Sequence, residues 1–406
     1  MIKGENMNNN EVDLREIPNE EIGHAPVITV VGVGGGGNNT IRHLKNKGTF
    51  SSIRLMIANT DVQHMHNSPV SNHIVLGKKL TKGLGAGMKP EKGKQAAEES
   101  YDDIKHALQG SDLIIIAAGL GGGTGTGAAP VFAKAAQETG ALTIGVVTKP
   151  FAYEGSRRAK LAEEGLKELH EVCDSIVVIP NTKLLSVIGK NTGYKESMSY
   201  VDDVVARAVN GISSVILNNS DEGINVDFED LRTVMSHRGL ALMGIGEGQG
   251  ENAADDAITN AIHSPLFDNM SINGSMGVIV NYEFNSNYPF VAISESMAII
   301  QEAARDDADI IFGTMPRDDF EVDKVRVSII ATGFETNKQH EVPTKPQPVA
   351  QSQIQQENVQ QPVQNQPSLF TSTTPDIYIH RSTRISSGDY DEDDLDTPTY
   401  IRNQKD

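Results

Sequence analysis

A glycine-rich stretch at residues 119–127 is the part of this chain best suited to binding a charged ligand. It follows an apolar run, 113–118, typical of a buried strand, and precedes residues 128–136, whose early proline indicates a helix start. Glycine lets the backbone approach a ligand closely, and a helix start adds free N–H groups and a positive dipole end. With hydroxyl donors from Thr124 and Thr126, the stretch is predicted to bind an anion, most simply phosphate. No lysine follows its last glycine, so the P-loop signature is absent.

A second glycine cluster, residues 32–40, follows another strand pattern at 27–31. The G-x-G-x-x-G spacing of a dinucleotide site is satisfied by Gly32, Gly34 and Gly37. The next strand pattern, 53–57, is followed by Asp61, so the acidic residue that a ribose requires is present and an oxidoreductase remains a possible function. A dehydrogenase has no use for a second, richer glycine loop, however. Two such loops on one sheet suit a polyphosphate held from two sides.

Composition limits the function further. The chain has 406 residues, enough for two domains and a tail, and its net charge of −19 argues against nonspecific nucleic-acid binding. Cys173 is the only cysteine, so an intrachain disulfide is excluded and a reducing cytoplasm is the expected location. No apolar run approaches the roughly 20 residues of a spanning helix, so direct membrane insertion is not expected.

The order of strand and helix patterns predicts an α/β fold with a Rossmann-like, mostly parallel sheet. Strands are predicted near 27–32, 53–58, 73–76, 113–118, 141–147, 175–179, 276–282, 309–315 and 324–333. A long amphipathic segment, 199–217, has apolar residues at helical spacing and is well placed to join two domains. The predicted organisation is a disordered arm 1–25, a nucleotide-binding domain 26–196, a central helix 197–218, a smaller α/β domain 219–335, a disordered linker 336–390 and a terminal peptide 391–406.

The last two segments predict a tethered binding peptide. Residues 337–370 are rich in Gln and Pro and show no apolar periodicity, so they cannot bury enough surface to fold alone. Behind an acidic run, the chain ends in a compact apolar and basic group: Leu395, Pro398, Tyr400, Ile401 and Arg402. A solvated terminus is the simpler interpretation. A long tether with an anchor at its end favours a short peptide that docks on a partner.

Several motifs match one protein family in the same order. Residues 121–127, Gly-Gly-Gly-Thr-Gly-Thr-Gly, carry the tubulin-family signature. The other matching motifs are Asn59-Thr60-Asp61, 82–87, 148–151, Glu154 with Arg158, Pro180-Asn181 and 225–228. The chain therefore resembles the tubulin/FtsZ family of filament-forming GTPases, from about residue 27 to 333 and again at 391–406.

This resemblance implies a site for GTP or GDP with Mg²⁺. The two glycine loops would wrap the phosphates, residues 85–87 would close over the γ-phosphate, and Asp61 would lie beside that phosphate and the cation. The residues implied to bind the nucleotide are Gly35, Gly36, Gly37, Asn38, Asn39, Asn59, Asp61, Gly85, Ala86, Gly87, Gly122, Gly123, Thr124, Gly125, Thr126, Glu154, Arg158, Asn181 and Asp202. Asn181 and Asp202 correspond to the guanine contacts. From spacing alone, Glu154 and Arg158 would be a solvated helix pair.

The resemblance also implies that hydrolysis requires assembly. In the family, a loop of one subunit covers the nucleotide of its neighbour, and here that loop ends in Asn225, Asp227 and Asp230. The two carboxylates are three residues apart and share one helix face, and in the family the matching pair polarises the attacking water. Without the resemblance, they would be first-turn acids that stabilise the helix dipole.

Two departures from the family pattern concern affinity and turnover. Met198 stands where family members usually carry a phenylalanine over the guanine face, with Tyr200 two residues on. A thioether packs against a ring but does not stack as broadly. The catalytic loop is also about two residues longer, through residues 218–223, which is compatible with a divergent paralogue.

The sequence thus predicts a GTP-dependent cell-division protein that polymerises head to tail and hydrolyses GTP between consecutive subunits. It would act in the cytoplasm at the mid-cell division ring and reach the membrane through partners that bind residues 391–406. Two alternatives remain at this point: a monomeric nucleotide-dependent oxidoreductase and a nucleotide-binding regulator without turnover.

Overall fold

Ten strands form one continuous sheet. The computed structural model describes residues 26–48, 52–189, 191–217, 227–237, 239–267 and 271–334. The strands are β1 Ile28–Val33, β2 Arg54–Asn59, β3 Asn72–Val75, β4 Leu113–Gly119, β5 Leu142–Lys149, β6 Ser175–Pro180, β7 Gly239–Gln249, β8 Gly277–Phe284, β9 Asp309–Pro316 and β10 Lys324–Thr332. Their order across the sheet is β3-β2-β1-β4-β5-β6-β7-β10-β8-β9.

Helices cover both faces of the first part of the sheet. The helices are α1 Gly34–Lys47, α2 Val62–His66, α3 Lys78–Thr81, α4 Pro90–Glu99, α5 Tyr101–Leu108, α6 Thr124–Gln137, α7 Ser156–His170, α8 Asn181–Leu184, α9 Tyr194–Leu217, α10 Phe228–Met235, α11 Ala253–Ile262 and α12 Phe290–Ala303. Short 3₁₀ turns lie at Ala152–Glu154, Pro265–Phe267 and Ile272–Gly274. Within the described residues, no helix combines the length and apolar character needed to cross a lipid bilayer.

The strands β1 to β6 are all parallel to their neighbours. Every residue of β1 is buried, as is all of β4 except Gly119, because helices cover both faces of a parallel sheet. One core cluster joins one face of this sheet to α9, and a second joins the other face to α6. The predicted α/β fold with a mostly parallel sheet is confirmed.

The strand β7 connects the two parts of the sheet. Its first three residues pair in parallel with β6, from Gly239 opposite Ser175 to Ala241 opposite Val177. Its remaining length pairs antiparallel with β10, which also pairs antiparallel with β8. Polar contacts add to this connection, since the Ser214 hydroxyl on α9 donates to Asn281 Oδ1 on β8 at 2.9 Å.

The sequence patterns did not predict β7, and the reason is its composition. One face of β7 is made of glycines, namely Gly244, Gly246 and Gly248. A strand normally carries large apolar side chains on such a face. A Cβ at Gly246 would lie 2.0 Å from the Ala257 carbonyl oxygen, so these glycines let α11 pack directly on the strand backbone. The alanines of α11 are buried against this face.

Three helices begin earlier in the chain than the proline or apolar pattern that marks them in the sequence. The helix α6 begins at Thr124 and contains Pro130, whereas the sequence predicted a start near that proline. The helix α1 begins at Gly34, within the glycine cluster, and α9 begins at Tyr194, five residues before the predicted amphipathic segment 199–217. Glycine is a poor helix former, so propensity conceals a first helical turn that exists to present its N–H groups. The predicted segments 1–25, 336–390 and 391–406 lie outside the described residues.

Candidate functional site

The predicted nucleotide-binding residues collect at one edge of the sheet. Because β1, β2, β4, β5 and β6 are parallel, their carboxyl ends lie at the same edge. The segments that follow these ends are 34–39, 59–61, 119–126, 150–154 and Asn181. A ligand in an open α/β sheet binds at this edge.

Backbone contacts between glycines join the two predicted phosphate loops. A Cβ at Gly34 would lie 2.7 Å from the backbone nitrogen of Gly125, and one at Gly36 would lie 3.2 Å from Gly119 Cα. Side chains larger than hydrogen would therefore separate the two loops. Gly37 is packed in the same way, since its Cβ would lie 2.2 Å from the Ala117 carbonyl oxygen.

Two glycines of these loops instead border open space. At Gly35 and Gly122 a Cβ would meet no atom within 4 Å. The helices that start beside them, α1 and α6, have Val33 and Gly123 at their N-caps, and neither residue makes a side-chain capping hydrogen bond. The first N–H groups of both helices are thus available to a ligand, and their dipoles favour an anion there.

A buried pair of asparagines holds the first loop in place. Asn38 is 3% exposed, and in the orientation that satisfies its amide its nitrogen donates to the carbonyl oxygens of Gly32, Gly34 and Ala58. Its oxygen then accepts from Asn59 Nδ2 at 3.1 Å. Asn59 Oδ1 accepts in turn from the backbone of Thr60 at 2.9 Å. Both side chains are therefore occupied by loop contacts and support the site from beneath.

Residues 82–87 form a third loop that packs on the second glycine loop. A Cβ at Gly123 would lie 2.0 Å from the Gly87 carbonyl oxygen and 3.1 Å from Ala86 Cβ. The Gly85 N–H donates to the Thr60 carbonyl at 3.0 Å, which anchors the loop to the end of β2. Gly83, Gly85 and Gly87 all have positive φ, so the loop's path requires glycine.

Asp61 and two threonines lie between these loops. The Asp61 carboxylate caps α2 through Oδ1, which accepts from the backbones of Gln63 and His64 at 3.0 and 3.3 Å. The hydroxyls of Thr60 and Thr124 are 2.6 Å apart. Sequence reasoning missed the Thr60 side chain, although its place directly before Asp61 was a usable signal.

Glu154 and Arg158 pair with each other beside the second glycine loop. Arg158 Nη1 donates to Glu154 Oε2 at 2.5 Å, and Glu154 Oε1 accepts from the Phe151 backbone at 3.0 Å. The Arg158 backbone lies against Gly121, where a Cβ would be 2.8 Å from its carbonyl oxygen. The pair therefore borders the loop, and the ribose- and phosphate-side contacts that the resemblance implies for it stay a prediction.

The predicted guanine contacts lie on separate elements: Asn181 begins α8 directly after β6, and Asp202 is on α9 beside His43 and Arg42 of α1. Asn181 is 8% exposed, and its Oδ1 has no hydrogen-bond partner among the described residues. Burial raises the pKa of Asp202 to about 6, although His43 and Arg42 on α1 act to lower it. A buried free acceptor and a desolvated carboxylate are both groups that gain from binding N–H donors.

The neighbouring face of α9 carries a different polar group. Arg207 Nε and Nη2 both donate to Asp203 Oδ2, at 2.8 and 2.5 Å. Burial would raise the pKa of Asp203, but His43, Arg207 and Lys47 hold it far below its usual range. The Arg207 guanidinium also lies 5.8 Å from the Tyr200 ring, so Tyr200 belongs to this face and not to that of Met198 and Asp202.

The predicted catalytic carboxylates lie at the opposite edge of the sheet. The helix α9 has 24 residues, about 36 Å in length, and returns the chain from the end of β6 to the start of β7. Asp227 precedes α10 at that edge and accepts from the Asp230 backbone at 2.8 Å. Asn225 and residues 218–223 lie outside the described residues. One chain therefore does not bring Asp227 and Asp230 to its own glycine loops.

Adjacent glycines of the second loop should respond differently to the same substitution. Gly123→Ala places a Cβ against the Gly87 backbone and should lower the free energy of unfolding by about 1–3 kcal/mol. Gly122→Ala meets open space, so the free energy of unfolding should change by less than about 0.5 kcal/mol while GTP binding weakens. Urea unfolding and calorimetric titration with GTP measure the two effects. Equal loss of stability in both variants would contradict this assignment.

Adjacent aspartates of α9 should also differ. The pKa of Asp202 is raised by folding, so its ionisation costs stability above about pH 6, and this cost disappears as the pH falls toward 4. Asp202→Asn should therefore raise the free energy of unfolding at pH 8 by about 1–3 kcal/mol and weaken GTP binding. Asp203→Asn, which removes a paired carboxylate, should lower stability at the same pH. Unfolding curves of the ligand-free variants at pH 8 and pH 5 test whether each substitution raises or lowers the free energy of unfolding.

Comparison with known proteins identifies the family of the chain. The family model for the Tubulin/FtsZ family, GTPase domain, matches residues 27–189, and the model for the FtsZ family, C-terminal domain, matches residues 239–335. The chain is 44% identical over 407 aligned residues to the cell division protein FtsZ of Helicobacter pylori strain J99, covering 99% of this chain and 98% of the relative.

Solved structures show the same fold. An empty FtsZ dimer from M. jannaschii superposes with a TM-score of 0.73 at 41% identity, covering 78% of this chain and 90% of that one. CetZ1 of Haloferax volcanii, a GDP-bound monomer, has a TM-score of 0.60 at 18% identity, covers 75% of this chain and 94% of that one, and supports the fold alone. Given both family models and a full-length relative at this identity, the chain belongs to the FtsZ family of tubulin-like cell-division GTPases.

Proposed function

We propose that this GTPase assembles head to tail into filaments of the cytokinetic ring and hydrolyses GTP at the interface between consecutive subunits. The observation that carries the proposal is the position of Asp227 and Asp230 at the sheet edge opposite the glycine loops. A carboxylate at the opposite edge of the sheet cannot act on a nucleotide held by the glycine loops of its own chain. Stacking two chains end to end brings the carboxylates of one subunit to the loops of the next.

Exposed apolar side chains at the nucleotide edge support this contact. Leu84, Tyr153 and Tyr194 are 82%, 67% and 79% exposed, and all three follow or flank the loops of the site. At the opposite edge, Met276 is 40% exposed just before β8. Large apolar side chains at both edges of the sheet suit head-to-tail contacts, in which each edge packs on a different copy of the chain. One relative named above was itself solved as a dimer.

The residues of the nucleotide edge would hold GTP by their backbones. The N–H groups at the starts of α1 and α6 would bind phosphate oxygens, and Thr124 would add a hydroxyl donor. Phosphoryl transfer needs mainly such positioning and charge stabilisation. Asp227 and Asp230 of the neighbouring subunit would orient the attacking water.

Mg²⁺ fits this site as a cation bound mostly through the nucleotide. No cluster of three or more His, Cys, Asp or Glu side chains that could hold a metal is present among the described residues. Magnesium commonly uses substrate phosphates, waters and only one or two carboxylates, so such a cluster is not required. Asp61 is a candidate ligand, because both capping bonds use Oδ1 and neither uses Oδ2. The cation would neutralise charge on the phosphates.

The base pocket would be formed by Asn181, Met198 and Asp202. The carboxylate of Asp202 would accept from N1–H and the exocyclic amine of guanine, which adenine cannot match. The unpartnered Oδ1 of Asn181 provides a further acceptor. The oxidoreductase and the regulator without turnover are both set aside, because the matched family consists of GTPases.

Catalysis between subunits predicts complementation. Asp227→Asn keeps a side chain able to cap α10, so GTP binding should stay near the level of the unmodified protein while hydrolysis falls by a factor of about 100 or more. Glu229→Gln, on the same helix turn, is the matched control and should retain hydrolysis. Mixing Asp227→Asn with Gly122→Val, which has intact carboxylates but an obstructed phosphate loop, should restore phosphate release. Mixtures no more active than the separate variants would overturn shared sites.

The terminal peptide predicts a separable recruitment function. Deleting residues 391–406 should leave GTP-driven assembly and turnover of purified protein unchanged and abolish recruitment to the division site in cells. A partner that binds this peptide would hold it weakly, but many peptides along one filament would give strong attachment. Light scattering and fluorescence microscopy give the two readouts. Normal mid-cell rings from the truncated protein would contradict this role.

A further inference from the structure

A hydrogen bond on α1 fixes the orientation of the Asn39 amide. Arg42 Nη2 lies 3.0 Å from Asn39 Oδ1. A guanidinium has donors and no acceptor, so the atom that it contacts must be the amide oxygen. The amide nitrogen of Asn39, with its two donors, is therefore directed away from Arg42.

The position of Asn39 favours contact with a base over contact with phosphates. Asn39 is the sixth residue of α1, about 7.5 Å along the axis from the helix start where N–H groups are free. His43, one turn further on the same side of the helix, has its Nε2 3.3 Å from Asp203 on α9. The side of α1 that carries Asn39 thus faces α9 near Asp202. Asn39 lies between the phosphate end of the site and this contact.

The chemistry of guanine requires a donor at this place. Asp202 offers only acceptors to the base edge, and these match N1–H and the exocyclic amine. The neighbouring O6 of guanine is an acceptor and needs an N–H partner, whereas adenine carries an amino group at the same position. An amide nitrogen aimed at that position attracts guanine and disfavours adenine.

We propose that Arg42 is a specificity-determining positioning residue, which binds Asn39 Oδ1 and thereby holds Asn39 Nδ2 as the donor to O6 of guanine. The inference rests on the proposed guanine pocket at Asp202 and adds a second discriminating contact to it. Arg42 would act through Asn39 and not on the nucleotide directly. Asn39 differs from Asn38, whose buried amide is occupied by loop carbonyls.

The charges around Asp202 agree with this arrangement. His43 and Arg42 are the groups of α1 that act to lower its pKa against the effect of burial, while Asp203 beside it on α9 is paired with Arg207. Arg42 thus supports both halves of the recognition: an ionised acceptor on α9 and an oriented donor on α1.

The test compares GTP with 6-thioguanosine triphosphate, which keeps N1–H and the exocyclic amine but carries a weakly accepting sulfur at position 6. The unmodified full-length protein should bind GTP more tightly by roughly 3- to 10-fold, as one hydrogen bond allows. Arg42→Leu should weaken GTP binding and abolish this preference, and Asn39→Ala should do the same. The double variant should lose no more than either single variant. Arg42→Lys, which retains a donor for Oδ1, should restore part of the preference.

Controls separate this inference from the proposed function. Lys45→Leu removes the same charge from an exposed position of α1 and should keep the preference for GTP. An unchanged preference in Arg42→Leu and Asn39→Ala would overturn the inference. If Asp202→Asn nevertheless weakens GTP binding, the guanine pocket stands and only the role of Arg42 fails. Equal binding of GTP and ATP by the unmodified protein would instead contradict the pocket itself.

Discussion

Backbone contact between glycines of three loops is the constraint on which the nucleotide site depends. The starts of α1 and α6 approach each other through Gly34 and Gly125, and residues 82–87 close against Gly123. These contacts leave no room for a Cβ, so the two helix dipoles are held close together at one sheet edge. Gly35, Gly87 and Gly122 instead border open space. The glycine signature therefore serves packing at most positions and ligand approach at few.

The length of α9 sets the relation between binding and hydrolysis. The helix carries Asp202 near its start, and its 24 residues span about 36 Å toward the sheet edge at which Asp227 precedes α10. The proposed binding residues and the proposed catalytic carboxylates thus lie near opposite edges of the sheet that α9 spans. Under the proposed function, hydrolysis would be coupled to assembly, because a second copy would supply the carboxylates.

Polar side chains near the site divide into those left available to a ligand and those that support the fold. Asn38 and Asn59 are closely spaced in sequence with Asn39 and Asp61, yet their amides are used by neighbouring loops. On α9, Asp202 is desolvated and its pKa raised, whereas Asp203 is paired with Arg207 and its pKa lowered. Adjacent residues of the same type therefore have opposite electrostatic roles, since a helix turns each toward a different environment.

The sequence by itself determined the strands of the parallel sheet and the existence of two phosphate loops. Continuous apolar runs such as 113–118 can be buried on both faces only in such a sheet, and glycine clusters between strand and helix have few other uses. The tertiary structure decided that α6 starts at Thr124 and that β7 forms. It also decided on which side of α9 Tyr200 lies. Helix starts and strands rich in glycine oppose local propensity and form only when another backbone packs against them. Likewise, the division of glycines between packing and ligand approach depends on atoms from distant loops, which spacing along one chain does not specify.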